Sequence, residues 1–67
     1  MQRVAYIDRR LRYKRDYPSA VDLARGFGEE SGDDVTSRTI KRDIEWMRDE
    51  AAPIAYDPSH RGYYYAH

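Results

Sequence analysis

Three interruptions divide this chain into four short segments, and they limit its fold more than any other feature. Pro18 ends the first segment, the polar run GEESGDD at residues 28–34 follows the second, and Pro53 precedes the fourth. The residue before a proline avoids the helical region, and a polar run with two glycines adds nothing to a core. The 67 residues therefore predict one domain, 1–67, with a small core.

The first three segments carry apolar residues at helical spacing and predict helices over about 2–14, 19–27 and 36–50. Ser19, with Asp22 three residues later, predicts an N-terminal cap for the second helix. Thr36 is the expected cap of the third helix, with Ser37 as the alternative. Tyr17, which precedes Pro18, is expected to be extended. The residues expected to face the core are Val4, Ile7 and Leu11, then Ala20, Leu23, Ala24 and Phe27, then Ile40, Ile44 and Met47.

After Pro53 the pattern changes to that of β-structure. Strand-forming residues flank the turn sequence DPSHRG, and this predicts a hairpin within about 53–66. Three consecutive tyrosines, Tyr63 to Tyr65, should alternate between its faces. The sequence thus predicts a mainly α fold with a small β-hairpin, in the element order of a winged helix-turn-helix with three helices and a two-stranded wing.

The zero formal net charge hides an uneven distribution. Residues 1–15 hold six cations and one acid, residues 16–34 are correspondingly acidic, and residues 35–42 hold three cations and no acid. Such asymmetry favours an electrostatic partner, although helix faces of small proteins are also often simply charged. An α-helix fits the DNA major groove, so the cationic start of the third helix points to double-stranded DNA.

Other classes of function find little support in the residues. The chain has no cysteine, which excludes a disulfide framework or a thiolate metal site and favours the cytoplasm. No apolar run is long enough for a membrane span or a signal peptide. The two histidines form no convincing metal site, and no residue pattern typical of an enzyme or of cofactor binding is present.

Several pieces of the sequence resemble one family. The LA of the second helix, the start of the third in VTSRTIKRDI, the API at 52–54 and the YD…RGYY of the hairpin are similar to the N-terminal winged helix-turn-helix domain of WYL-domain-containing, DeoR-like bacterial transcriptional regulators. The resemblance covers about residues 3–65. The run GEESGDD departs from it, because the turn between the second and third helices is usually tighter.

The resemblance and the charge pattern together give a set of candidate DNA contacts. Arg38 can pair with guanine, and Lys41 and Arg42 lie about 100° and about 200° round the helix from Ile40, outside the core. Hydroxyls at the helix start can donate to phosphate, or can serve only as caps. Arg61 lies at the hairpin tip, where residues 57–62 would touch the backbone or the minor groove. The full set is Ser19, Thr36, Ser37, Arg38, Thr39, Lys41, Arg42 and Arg61.

Each of these assignments has an alternative. Arg42 could instead pair with Glu45 or stack on Trp46, and the arginines of the first helix could contact phosphate or form a solvated face. Arg48 is expected to pair with Glu45 or Asp49. The acids from Asp43 onward must point away from DNA or lie beyond its reach.

The partners implied by the resemblance are a second copy of the chain and a C-terminal sensor domain. The sensor domain would follow if the chain is an excised domain and would be missing if it is a stand-alone protein. The main alternative function is a protein-interaction winged helix that uses the tyrosine-rich hairpin.

Overall fold

The structure is a computed structural model that describes residues 2–66. Three helices, α1 (Gln2–Tyr13), α2 (Ala20–Ser31) and α3 (Ser37–Asp49), precede two strands, β1 (Ile54–Asp57) and β2 (Gly62–Tyr65). The strands form an antiparallel hairpin in which Ile54 pairs with Tyr65 and Asp57 with Gly62. The fold is therefore mainly α with a small β-hairpin, in the layout of a winged helix-turn-helix, as the sequence predicts.

The apolar stripes of the three helices meet in one core, as their spacing predicts. Ile7, Leu23, Ile40 and Ile44 are almost completely buried at its centre. The hairpin closes one side of this core with Ile54. The partly buried Tyr63 and Tyr65 also pack against the core. Burying apolar surface of this kind is the main source of stability in a chain of this length.

The predicted caps of α2 and α3 are present. The Ser19 hydroxyl accepts a hydrogen bond from the Asp22 N–H, while the Asp22 carboxylate accepts one from the Ser19 N–H. Thr36, rather than Ser37, caps α3 by accepting a hydrogen bond from the Thr39 N–H at 3.2 Å. Local sequence signals therefore determine where both helices begin.

The predicted end of α2 near residue 27 is wrong, because the helix continues one turn further to Ser31. Its last turn is polar yet needs no core contact, since Glu30 pairs with Arg9 of α1 and the Ser31 hydroxyl donates to the Phe27 carbonyl. Gly32 ends the helix in the left-handed conformation, with φ of 81°, which favours glycine. The connection between α2 and α3 is therefore the short turn 32–36, and the sequence contains no unusually long loop at this point.

The expected extended conformation of Tyr17 is also wrong. Tyr17 has φ of 54°, in the left-handed region. Its ring stacks on the His60 ring, with the centroids 3.9 Å apart, so a contact with the hairpin accompanies this unusual backbone. Residues 14–19, which join α1 to α2, are called the linker below.

Candidate DNA interface

The candidate DNA interface is the exposed side of α3 together with the hairpin tip, residues 58–61. Packing of Ile40 and Ile44 into the core turns Arg38, Lys41 and Arg42 outward, where all three are exposed. At the start of the helix, the Thr36 and Thr39 hydroxyls lie 3.2 Å apart and share a hydrogen bond. The three cations thus extend outward near a helix terminus at which the Thr36 and Thr39 hydroxyls are hydrogen-bonded to each other and the Thr36 hydroxyl also to the backbone.

The cations of this surface differ from the others in having no acidic partner. Within residues 2–66, Arg38, Lys41, Arg42 and Arg61 form no ion pair. Seven other cations do form one: Arg3, Arg9, Arg10, Arg12, Lys14, Arg25 and Arg48. Arg15 instead donates to the Tyr65 carbonyl at 2.8 Å. These four cations are therefore grouped on one surface, while the rest of the chain, with eight cations and twelve acids, carries the compensating negative charge. A locally positive surface of this kind attracts an anion as a neutral surface would not.

The arginines of α1 are all paired with acids. Arg9 bonds Glu30, Arg10 bonds Asp16, and Arg12 bonds Asp8 at 3.0 Å. The hydrogen bonds to Asp16 and Asp8 raise the pKa values of Arg10 and Arg12, respectively, above the ordinary value of arginine. The pairs agree with a solvated, internally balanced face of α1, the second of the two interpretations that the sequence leaves open.

Two of the three acids of α3, Asp43 and Glu45, are engaged by arginines outside the candidate interface, while Asp49 forms no ion pair within residues 2–66. Asp43 is buried, with 8% of its surface exposed, and accepts a hydrogen bond from Arg3 Nε of α1 at 2.7 Å. Glu45 pairs with Arg48 at 3.3 Å, so the alternative pairing of Glu45 with Arg42 is not formed. Asp43 is therefore withheld by its orientation toward α1, and Glu45 is partly neutralised.

Arg48 has the structural role that the sequence predicts, and a further one. Besides its pair with Glu45, its Nε donates to the carbonyl oxygen of Ile54 at 3.0 Å. Because Ile54 begins β1, this hydrogen bond joins the end of α3 directly to the hairpin. The hairpin is thereby fixed beside the same helix that carries the outward cations.

The hairpin tip is shaped by Asp57. Its carboxylate accepts hydrogen bonds from the Ser59 N–H at 2.8 Å and lies 2.8 Å from the Nδ1 of His60. The hydrogen bond with the His60 side chain, followed by those from the backbone, lowers the pKa of Asp57 below its ordinary value. The next residue, Arg61, is exposed and adopts φ of 55°, so a non-glycine residue is held in the left-handed region at the tip.

The remaining predicted site residues, Ser37 and Ser19, lie at the starts of α3 and α2. Ser37 is half-buried and lines a shallow depression with Val21 and Arg25 of α2. Ser19 is half-buried at the start of α2, where its hydroxyl oxygen serves as the cap. The structure therefore groups Arg38, Lys41 and Arg42 on the outer side of α3, and it gives Ser19, Thr36 and Thr39 capping or helix-terminal contacts.

The sequence predictions require Asp43 to point away from DNA or lie beyond its reach but miss its ion pair with Arg3, and they miss the stacking of Tyr17 on His60. Asp43 could have been recognised, since it lies three residues after Ile40 and one before Ile44, on the inward stripe of α3. Tyr17 and His60 had no such signal, because their stacking joins residues that are distant in the chain.

The described residues provide no site for a metal and no membrane span. Among residues 2–66, no group of three or more histidine or acidic side chains could hold a metal ion. Within the same residues, no helix has the length and apolar character needed to cross a membrane. Comparisons with models of protein families, with curated proteins and with solved structures find no match for this chain.

Proposed function

We propose that this chain binds double-stranded DNA in a sequence-specific manner, as the DNA-binding domain of a bacterial transcriptional regulator. In this proposal α3 enters the major groove, and residues 57–62 of the hairpin contact the backbone or the minor groove. The single observation that supports it best is the distribution of the cations that form no ion pair within residues 2–66. Arg38, Lys41, Arg42 and Arg61 lie on α3 and at the hairpin tip, while the other cations are bound within the fold.

The arrangement of charges agrees with the requirements of a duplex. Arginines near the start of a groove-bound helix can pair with the O6 and N7 of guanine, whereas a lysine one turn on serves as a phosphate contact. Buried Asp43 presents no carboxylate on the outer side of α3, where it would repel phosphates. The resemblance to WYL-domain-containing, DeoR-like regulators adds support. On the same resemblance we propose that the protein is cytoplasmic, that two copies bind an inverted repeat, and that a C-terminal sensor domain is a partner.

The tyrosine-rich hairpin gives less support to a protein-interaction module. Tyr63 and Tyr65 pack against the core. The Tyr64 ring contacts the Tyr17 ring edge-on, and the Arg15 guanidinium lies over the Tyr64 ring. Tyr56 alone of the four hairpin tyrosines is exposed, at 47%. Three of the four are thus occupied within the fold, so we do not carry this alternative further.

Selection of bound duplexes from a random-sequence pool, followed by binding titrations, tests the proposal. The selected duplex should bind more tightly than a scrambled one, and affinity should fall between about 50 and about 200 mM salt as counterions are released. The variant carrying Arg38→Ala and Arg42→Ala should bind more than about tenfold more weakly, with a shallower salt dependence.

A charge-matched control is available on α1. Arg9→Ala with Arg12→Ala removes the same charge from arginines that already have acidic partners, and it should change affinity by less than about threefold. The proposal fails if affinity does not depend on salt, if no duplex is preferred over the scrambled one, or if the α3 variant and the α1 control weaken binding equally.

A further inference from the structure

The hairpin tip is attached to the linker through the Tyr17 ring. This ring lies nearly parallel to the His60 ring, at an interplanar angle of 12°, and meets the Tyr64 ring edge-on at 5.6 Å. Aromatic pairs of this kind add stability beyond that of the apolar area that they bury. His60 is in turn held by Asp57. One linker residue therefore contacts both the tip of the hairpin and its second strand.

The backbone makes the same attachment. The Tyr63 N–H donates to the Pro18 carbonyl at 2.9 Å, so the linker covers the outer edge of β2. Gly62 lies so close to the linker that a β-carbon there would be 1.7 Å from the Tyr17 carbonyl oxygen. Glycine is thus required by this approach, and the contact leaves β2 no free edge at this point.

Arg61 lies between two of the residues that contact Tyr17. His60 before it stacks on the Tyr17 ring, and Gly62 after it abuts the Tyr17 carbonyl. A left-handed backbone is unfavourable for a non-glycine residue, and it persists where surrounding contacts determine it. The contacts on both sides of Arg61 are of this kind, so its direction is set by the linker as well as by the turn.

We propose that Tyr17 is a positioning residue that holds the hairpin tip so that Arg61 is presented to DNA. This inference rests on the proposed function, since it assigns Tyr17 a role in the same interface. Tyr17 itself is half-buried and need not contact the duplex. Holding a contact in its bound geometry before binding removes the cost of ordering it, and so increases affinity without a new contact.

A double-mutant cycle with the selected duplex as probe tests this inference. Arg61→Ala should weaken binding about fivefold. Tyr17→Leu, which removes the ring but keeps an apolar side chain, should cause a similar loss because Arg61 is no longer held. The double variant should then bind no more weakly than either single variant, since both substitutions remove the same contact.

Two further variants separate positioning from general stability. Tyr17→Phe keeps the ring and should restore binding, because the Tyr17 hydroxyl has no hydrogen-bond partner within residues 2–66. Tyr13→Leu is the matched control, since Tyr13 is 79% exposed and stacks on no other ring of the described part of the chain. If Tyr17→Leu does not fold, His60→Ala removes the stacking from the exposed side and should show the same non-additivity with Arg61→Ala.

Hydrogen exchange of the Tyr63 amide gives a measurement that does not depend on DNA. Tyr17→Leu should accelerate this exchange in the free chain, while Tyr17→Phe and Tyr13→Leu should not. The inference is overturned if Arg61→Ala has no effect on binding, or if the losses from Tyr17→Leu and Arg61→Ala multiply. If the wild-type chain shows no salt-dependent duplex binding, the proposed function fails, and the role of Tyr17 in DNA binding fails with it. The exchange rate of the Tyr63 amide still reports whether Tyr17 holds the hairpin.

Discussion

Arg3 of α1 donates a hydrogen bond to Asp43 of α3 at 2.7 Å, and this ion pair joins the two helices beside the core. The Asp43 side chain is 10% exposed and the Arg3 side chain 34%. Asp43 therefore depends on Arg3 to compensate for its lost hydration, whereas Arg3 can still reach water. The pair also holds the Asp43 carboxylate against α1.

Removing Arg3 should therefore destabilise the fold more than removing Asp43. We expect Arg3→Met to lower the free energy of unfolding, by less than the roughly 3–5 kcal/mol found for fully buried pairs, because Arg3 is partly exposed. Asp43→Leu should cost less, and the double variant should be close to the wild type. Urea denaturation of the four proteins measures this cycle, and an Arg3→Met variant as stable as the wild type would contradict it.

The approach of Gly62 to Tyr17 gives a second prediction. Gly62→Ala would place a β-carbon 1.7 Å from a backbone oxygen, so the linker and the hairpin must separate. We expect a loss of about 2 kcal/mol or more, within the usual range for forced overpacking. Gly28→Ala is the matched control. Gly28 lies within α2, and a β-carbon there would meet its nearest neighbour, the Asp33 carbonyl oxygen, at 3.5 Å, which is an ordinary contact. Because alanine has a higher helix propensity than glycine, Gly28→Ala should be as stable as the wild type or up to about 1 kcal/mol more stable. Thermal unfolding of the Gly62→Ala and Gly28→Ala variants measures the difference.

The sequence was informative where structure depends on neighbouring residues. Ser19 and Thr36 act as caps because their hydroxyls reach N–H groups within the same turn, so their role can be predicted from spacing alone. The predicted end of α2 near residue 27 is wrong for the complementary reason. A glycine can stop a helix or be tolerated within one, and the choice of Gly32 as the actual end depends on a left-handed backbone that spacing does not specify.

The candidate site was predictable only in part. Ile40 and Ile44 define the inner side of α3, which is sufficient to place Arg38 and Arg42 outside. The lack of acidic partners for these arginines is a tertiary property, since it depends on Asp43 turning to α1 and Glu45 turning to Arg48. The stacking of Tyr17 on His60 similarly requires the whole fold and could not be predicted from local pattern.

The carboxylate of Asp8 predicts a specific loss of stability in acid. Its pKa is lowered first by the hydrogen bond from Arg12 and then by that from the Tyr65 hydroxyl. Because the folded pKa is below the unfolded value of about 3.9, this stabilisation is present above about pH 4 and is lost as the pH falls through the folded pKa. Asp8→Asn should therefore lose less stability than the wild type between about pH 6 and about pH 3.

Urea midpoints at the two pH values measure this difference. Glu29→Gln is the matched control, since it removes an exposed carboxylate that forms no ion pair within residues 2–66, and it should keep the acid loss of the wild type. If Asp8→Asn and Glu29→Gln lose stability equally, the Asp8 contacts do not contribute to the acid sensitivity.

Thr36 permits a separation of helix capping from DNA binding. Its hydroxyl caps α3, so Thr36→Ala should cost about 1 kcal/mol of stability, whereas Thr36→Asp and Thr36→Asn both replace the cap. Under the proposed function, the carboxylate of Thr36→Asp would repel phosphates, while the amide of Thr36→Asn would not. We expect Thr36→Asp to bind the selected duplex at least about tenfold more weakly than Thr36→Asn at low salt, with the difference narrowing as salt screens the charge. Equal affinities of these two equally stable variants would place the start of α3 away from the phosphates and would require another surface for DNA.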